Sequence, residues 1–117
     1  MFVNFSNHPS RYWDNKQREA SQYYGELFDM PFPQIAPNAS DEELLILAQD
    51  CVDKIASLGD SKSITVHIMG EMTFCYKLIT KLKAHNIRCL ASTTKRETVE
   101  ENGVKISKFN FVRFREY

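Results

Sequence analysis

Three short stretches carry the side chains best able to hold an anion or a sugar: "SNHPSRYW" from Ser6, "MGEMTF" from Met69 and "STTKRE" from Ser92. The first offers the hydroxyls of Ser6 and Ser10, the Asn7 amide and the His8 imidazole, with Arg11 and Trp13 just beyond. Such a set clasps a phosphate, a ribose or a carboxamide through several directed hydrogen bonds. A plain turn accounts for the same residues, with Asn7 and Pro9 bending the chain and Ser10 capping the next helix. In the second stretch Gly70 follows an apolar run, where backbone approaches a ligand closely. Glu71 and Thr73 there open a helix whose free amides attract an anion. Glu71 works against a phosphate at that point, so it either accepts from ribose hydroxyls or a base, or is a helix-stabilising acid. The third stretch sets the hydroxyls of Ser92, Thr93 and Thr94 before the cations Lys95 and Arg96, a combination that suits a phosphodiester; a solvated charged loop is its alternative. His8 and Lys95 are the candidate catalytic groups.

Other reactive side chains point to structure. His67 sits in the middle of a β-branched run and reads as a hydrogen-bonded core residue, and His85 near a helix end reads as a capping cation. Cys51, Cys75 and Cys89 each fall inside an apolar pattern with no paired spacing, as reduced, buried thiols do. No cluster has metal-ligand spacing, and the GxSxG elbow, the GxGxxG fingerprint and the P-loop are all absent, so no metal and no cofactor is expected. What remains is a pocket of hydroxyls, amides and cations with one histidine. It suits a nucleotide, or the metal-free cleavage of an RNA-like phosphodiester by a positioned ribose 2′-hydroxyl.

These stretches need elements to hold them. Phe2 to Phe5 reads as a strand, Asp14 to Tyr24 as a helix ended by Gly25, and Leu27 to Phe32 as a second strand. A proline-rich loop leads to Ser40, an N-cap followed by acids, and to a helix closed by Gly59 with Leu44, Leu47, Ala48, Cys51, Val52 and Ile55 on one face. "SITVHIMG" is a third strand, Glu71 to His85 a helix capped by Asn86, and "IRCLAST" a fourth strand. Strict alternation of this kind gives a parallel sheet with right-handed crossovers. With strand order two, one, three, four, the order reverses between the first and third strands, and all three polar stretches face that crevice. Asn102 and Gly103 then mark a hairpin. The expected fold is α/β: one Rossmann-like, three-layer domain over residues 1–117, with a mainly parallel sheet and a C-terminal antiparallel β-hairpin.

The last strand carries apolar residues on both sides, Phe109 and Phe111 with Lys105 and Ser107 on one, Val104, Ile106, Val112 and Phe114 on the other. Such a strand needs a partner chain, as in a homodimer, or a bulge inside a monomer. The 117 residues balance 15 basic against 15 acidic side chains, which argues against coating bulk nucleic acid. No apolar run is long enough to span a membrane and no secretory signal is visible, so the expected location is the cytoplasm.

The polar turn after the first strand, "HIMGEMTF", "LASTTKRE" and the terminal hairpin ending in "FVRFREY" resemble the small stand-alone members of the CRISPR-associated Rossmann-fold (CARF) superfamily, some of which are ring nucleases. The resemblance implies a homodimer whose pockets join across a two-fold axis to bind cyclic oligoadenylate, and cleavage that needs no metal. By position it points to Ser6, Asn7 and His8, to Gly70 and Thr73, and to Thr93, Thr94, Lys95 and Arg96. With no appended nuclease or helix-turn-helix domain, such a chain senses or degrades a messenger and is not by itself a messenger-activated effector.

Overall fold

A computed structural model describes residues 1–117. Strand β1 (Phe2–Ser6) is buried along its length, as is β3 (Thr65–Met69) up to its last residue, which is why both read as near-continuous apolar runs. Between β1 and the short β2 (Leu27–Asp29) lie a 3-10 turn (Ser10–Tyr12) and helix α1 (Asn15–Gln22). Helix α2 (Asp41–Ala56) is N-capped by Ser40, whose Oγ accepts from the Glu43 amide at 3.1 Å and donates to the Glu43 carboxylate at 3.2 Å. Helix α3 (Met72–Ala84) ends where Asn86 takes a left-handed φ of 59°. Strands β4 (Arg88–Glu101) and β5 (Val104–Glu116) close the chain.

All five strands form one sheet in the order β2-β1-β3-β4-β5, parallel except for the antiparallel β4–β5 pair. The fold is therefore mixed α/β, with the reversal of strand order between β1 and β3. Side-chain alternation divides the core in two. Val3, Phe5, Val66, Ile68 and Cys89 face α2 and α3 and pack with Leu44, Val52, Ile55, Phe74 and Leu78. Phe2 and Leu90 face the other way and pack with Trp13, Phe111 and Phe114, with Ala20 of α1 and Tyr24 just beyond its end against them.

The boundaries move for identifiable reasons. The second strand stops at Asp29 instead of Phe32, because Pro31 and Pro33 have no amide to give a ladder. The first helix starts after Asp14, whose side chain caps it by accepting from the Gln17 amide at 2.8 Å, and ends at Gln22, short of Tyr24. The larger correction concerns Ser92 to Arg96. These residues form no turn: they lie inside β4, which runs on to a tight Asn102-Gly103 hairpin with φ of 52° and 77°.

The register passes from Thr93↔Arg113 to Thr94↔Phe111, so Val112 is an extra residue in β5. This bulge overturns the expected facing of the last strand, because it brings Phe114 to the same side as Phe111, with ring centroids 4.8 Å apart. Beyond the bulge the hairpin becomes an arm on which every residue from 95 to 110 is exposed except half-buried Ile106. The projection raises the radius of gyration to 15.7 Å, against about 13 Å for a compact chain of this length. No helix is long and apolar enough to cross a membrane.

Candidate functional site

The polar tail of β1 has a structural task first. Strand alternation puts Asn4 and Ser6 on the α1 side of the sheet, and parallel pairing sets Asn4 beside His67 and Asp29. The Asn4 amide donates to Asp29 Oδ1 at 2.8 Å and to the His8 carbonyl at 3.0 Å. Its oxygen accepts from Ser6 Oγ at 2.7 Å and meets His67 Nδ1 at 2.9 Å. Ser10 is buried with its hydroxyl on Asp29 Oδ2 at 2.7 Å. Trp13 Nε1 also donates to the His8 carbonyl, at 3.2 Å. The loop after β1 is thus fastened by backbone at His8, which leaves the His8 imidazole exposed to solvent.

The same loop forms one wall of a cavity of about 700 Å³. Ser6, Asn7 and His8 line it from β1 and its turn, Tyr12, Trp13 and Asp14 from the 3-10 turn and the link to α1, Gln17 from α1, His67 and Met69 from β3, and Ser92 and Thr94 from β4. The far wall is Lys108 to Phe111 of β5. Asn7 also borders a smaller space of about 460 Å³ with Arg11, whose guanidinium lies 4.6 Å from the centre of the Tyr12 ring.

The other residues singled out in the sequence lie elsewhere. Lys95 and Arg96 fall outside the cavity on the exposed arm, Arg96 reaching the Ser107 hydroxyl at 3.1 Å, and Thr93 donates to the Arg113 carbonyl at 3.1 Å. At the start of α3 the free amides are occupied by Glu71 itself, which accepts from Thr73 N at 3.0 Å, Phe74 N at 2.8 Å and the Thr73 hydroxyl at 2.6 Å. These bonds, the Thr73 side chain foremost, hold the Glu71 carboxyl below the usual range. Gly70 makes room for Phe32: a Cβ there would stand 2.3 Å from Phe32 Cζ, and that ring is wedged between Phe5 and Phe74. Gly70→Ala is expected to cost roughly 1–3 kcal/mol by overpacking, read as a lower midpoint in thermal unfolding; an unchanged midpoint would refute the wedge.

His67 is the residue that sequence reasoning left in the core and that the fold brings to the cavity. It is buried, and its Nε2 is the one buried side-chain nitrogen or oxygen without a hydrogen-bond partner. Burial lowers its pKa to about 4, with the nearby His8 adding to the shift. Unfolded, the imidazole takes a proton below about 6.5; folded, it does so only below about 4. Between those values the unfolded chain binds more protons, so stability present at pH 7 is lost as pH falls through that window. The expected loss between pH 7 and 4.5 is about 2–3 kcal/mol in urea unfolding, and His67→Phe should make the pH dependence shallower by that amount. Equal slopes in the two proteins would contradict it.

Lys108, Phe109 and Asn110 were also missed, although the hairpin signal carried them. Pairing outward from Asn102-Gly103 sets Lys108 opposite Glu97 and Phe111 opposite Thr94. The thiols stay structural: burial pushes Cys75 up to about 11 and Cys89 up to about 12, so neither is a ready nucleophile. No group of three His, Cys, Asp or Glu side chains is placed to hold a metal ion. A cleft of about 650 Å³ at the amino ends of the strands is lined by Ser61 to Thr65 and Asn86 to Cys89 among others. That end of a parallel sheet is not where loops part around a ligand, and no orphaned buried group borders it.

The model of a family described as "Uncharacterized protein MJ1673 family" matches residues 1–115. No curated protein and no solved structure matches the chain.

Proposed function

The chain belongs to the MJ1673 family, and from the cavity its matched residues build we propose that it binds a cyclic oligoadenylate and opens the ring by metal-independent phosphodiester cleavage. The observation that carries this reading is the composition of the 700 Å³ cavity: amides and hydroxyls of Asn7, Ser92 and Thr94, the His8 imidazole, the Lys108 cation, and the aromatic faces of Tyr12 and Phe109 on one space. Aromatic faces hold bases by stacking, whatever their sequence, and a cation with hydroxyl donors holds the phosphate between them. The choice of ring follows the resemblance of "HIMGEMTF" and "LASTTKRE" to the small stand-alone CARF proteins, some of which are ring nucleases.

In the proposed step a ribose 2′-oxygen attacks the adjacent phosphorus and the bond from phosphorus to the 5′-oxygen breaks. The 2′ proton passes to water, His8 gives a proton to the departing 5′-oxygen, and Lys108 offsets charge on the phosphoryl oxygens. The product is a linear oligoadenylate ending in a 2′,3′-cyclic phosphate.

The reading includes a cytoplasmic homodimer in which two arms meet and two cavities join. Its support is the arm itself, where Phe109 is 66% exposed on one side and Val104 59% and Val99 40% on the other, apolar side chains on an unpaired edge that a second copy would cover. Light scattering after size exclusion should give twice the chain mass; monomer at every concentration would remove this part. The same surface favours one other reading, a non-catalytic module whose arm docks a partner protein. One assay separates them. Labelled cyclic tri-, tetra- and hexa-adenylate are incubated with the protein in EDTA: loss of a ring is expected, retention with a mobility shift would leave a sensor, and no interaction would leave the docking module.

A further inference from the structure

The orientation of Asn4 fixes the chemistry that His67 offers the cavity. Because the Asn4 nitrogen donates to Asp29 and to the His8 carbonyl, its oxygen must be the atom beside His67 Nδ1. That oxygen only accepts, so Nδ1 carries the ring proton and Nε2 keeps a lone pair. Nothing in the chain donates to that lone pair. A buried acceptor left unmet costs about 1–3 kcal/mol, a cost that a ligand donor would remove. The surroundings select the donor. The imidazole lies 16° from parallel to Phe2 and edge-on to Trp13 and Phe114, and the cavity it lines continues along Tyr12 and Phe111. Walls of this kind admit a flat base more readily than a sugar, leaving the sugar and phosphate at the polar mouth beside Asn7, His8 and Lys108.

We propose that His67 reads the base: Nε2 accepts a hydrogen bond from the exocyclic amine of a 6-aminopurine, and so selects adenine against a purine that presents an oxygen at that position. This rests on the cyclic-oligoadenylate reading above and adds to it the residue that selects the base. Burial keeps the imidazole neutral at physiological pH, so the lone pair is available to an amine and faces a carbonyl as one acceptor faces another. The nitrogen is closed to solvent; a base reaches it by parting the aromatic side chains around it, which makes Trp13, the chain's one tryptophan, a reporter.

Calorimetry on the full chain compares cyclic tri-, tetra- and hexa-adenylate with cyclic inosinates of the same sizes, which carry a carbonyl oxygen in place of the amine and a hydrogen on ring N1, and with the 2′-deoxyadenylates. The adenylate ring should bind about 10–100-fold more tightly than its inosinate, with a change in Trp13 fluorescence, and His67→Phe should bind the two alike. Should that variant fail to fold, the nitrogen-15 resonance of His67 Nε2 in the unaltered protein decides: it moves upfield with the adenylate and stays with the inosinate. Equal affinity for adenylate and inosinate, a preference that survives His67→Phe, or a stationary resonance would overturn the proposal and leave the nucleotide reading in place. A loss seen only with the 2′-deoxy ring would move the contact to ribose and overturn it also. If no ring binds, the nucleotide reading itself fails and the base assignment with it.

Discussion

His8→Ala should lower the rate of ring opening by about 100-fold or more at pH 7 while changing ring affinity by less than about tenfold. General acid catalysis by a positioned imidazole contributes on the order of 10²–10⁴ in rate, and the side chain lost is the one at the mouth of the cavity. What makes the variant informative is that His8 holds the loop through its backbone. Its carbonyl receives Asn4, Ser6 and Trp13, and its amide donates to Ser6 Oγ at 3.2 Å. Alanine keeps all of these, so the wall of the site persists and the deficit falls on kcat. Unchanged kcat would remove His8 from the chemistry. A rise in KM alone would make it a binding group.

The second large effect is on stability. Phe114→Ala should destabilise the fold by about 3–5 kcal/mol, the range for deleting a buried phenylalanine. In thermal unfolding that is a fall of roughly 10–20 °C. Phe114 packs on Phe2 at 5.1 Å, Phe111 at 4.8 Å, His67 at 5.4 Å and Trp13 at 6.0 Å between ring centroids, so it ties β5 to β1, β3 and the start of α1. A surface phenylalanine on the same strand is the control: Phe109→Ala on the exposed arm should shift the midpoint far less. Equal falls for the two would mean that the bulge does not place Phe114 as described.

Much of this arrangement was legible in the chain. The apolar runs of β1 and β3, the Ser40 cap and the Asn102-Gly103 turn each express a local rule, and strict alternation up to β4 led to the parallel sheet. Features that depend on register across long separations were not legible. Asn4 reaches Asp29 and His67 only once three strands are aligned, and nothing near any of the three announces the others. Ser92 to Arg96 misled for a physical reason: a strand half-buried at Ser92 and Thr93 and exposed from Thr94 on has no need of apolar alternation, so its hydroxyls and cations look like a loop. The extra residue at Val112 has no sequence mark either, since valine suits a regular strand equally well, yet it turns Phe114 into the core. Of the candidate site, the turn after β1 was found from strand-end logic, while the β5 wall was reachable by counting back from the hairpin.

The central claim is that the turn after β1 and the inner part of the β4–β5 hairpin make one binding cavity. Two-dimensional amide NMR of the full chain, titrated with cyclic tetra-adenylate in EDTA, tests it most directly. The account predicts that the largest shifts cluster at Asn7, His8, Trp13, Thr94 and Lys108 to Phe111. Shifts centred on Ser61 to Thr65 and Asn86 to Cys89 at the opposite end of the sheet, or none at all, would contradict it.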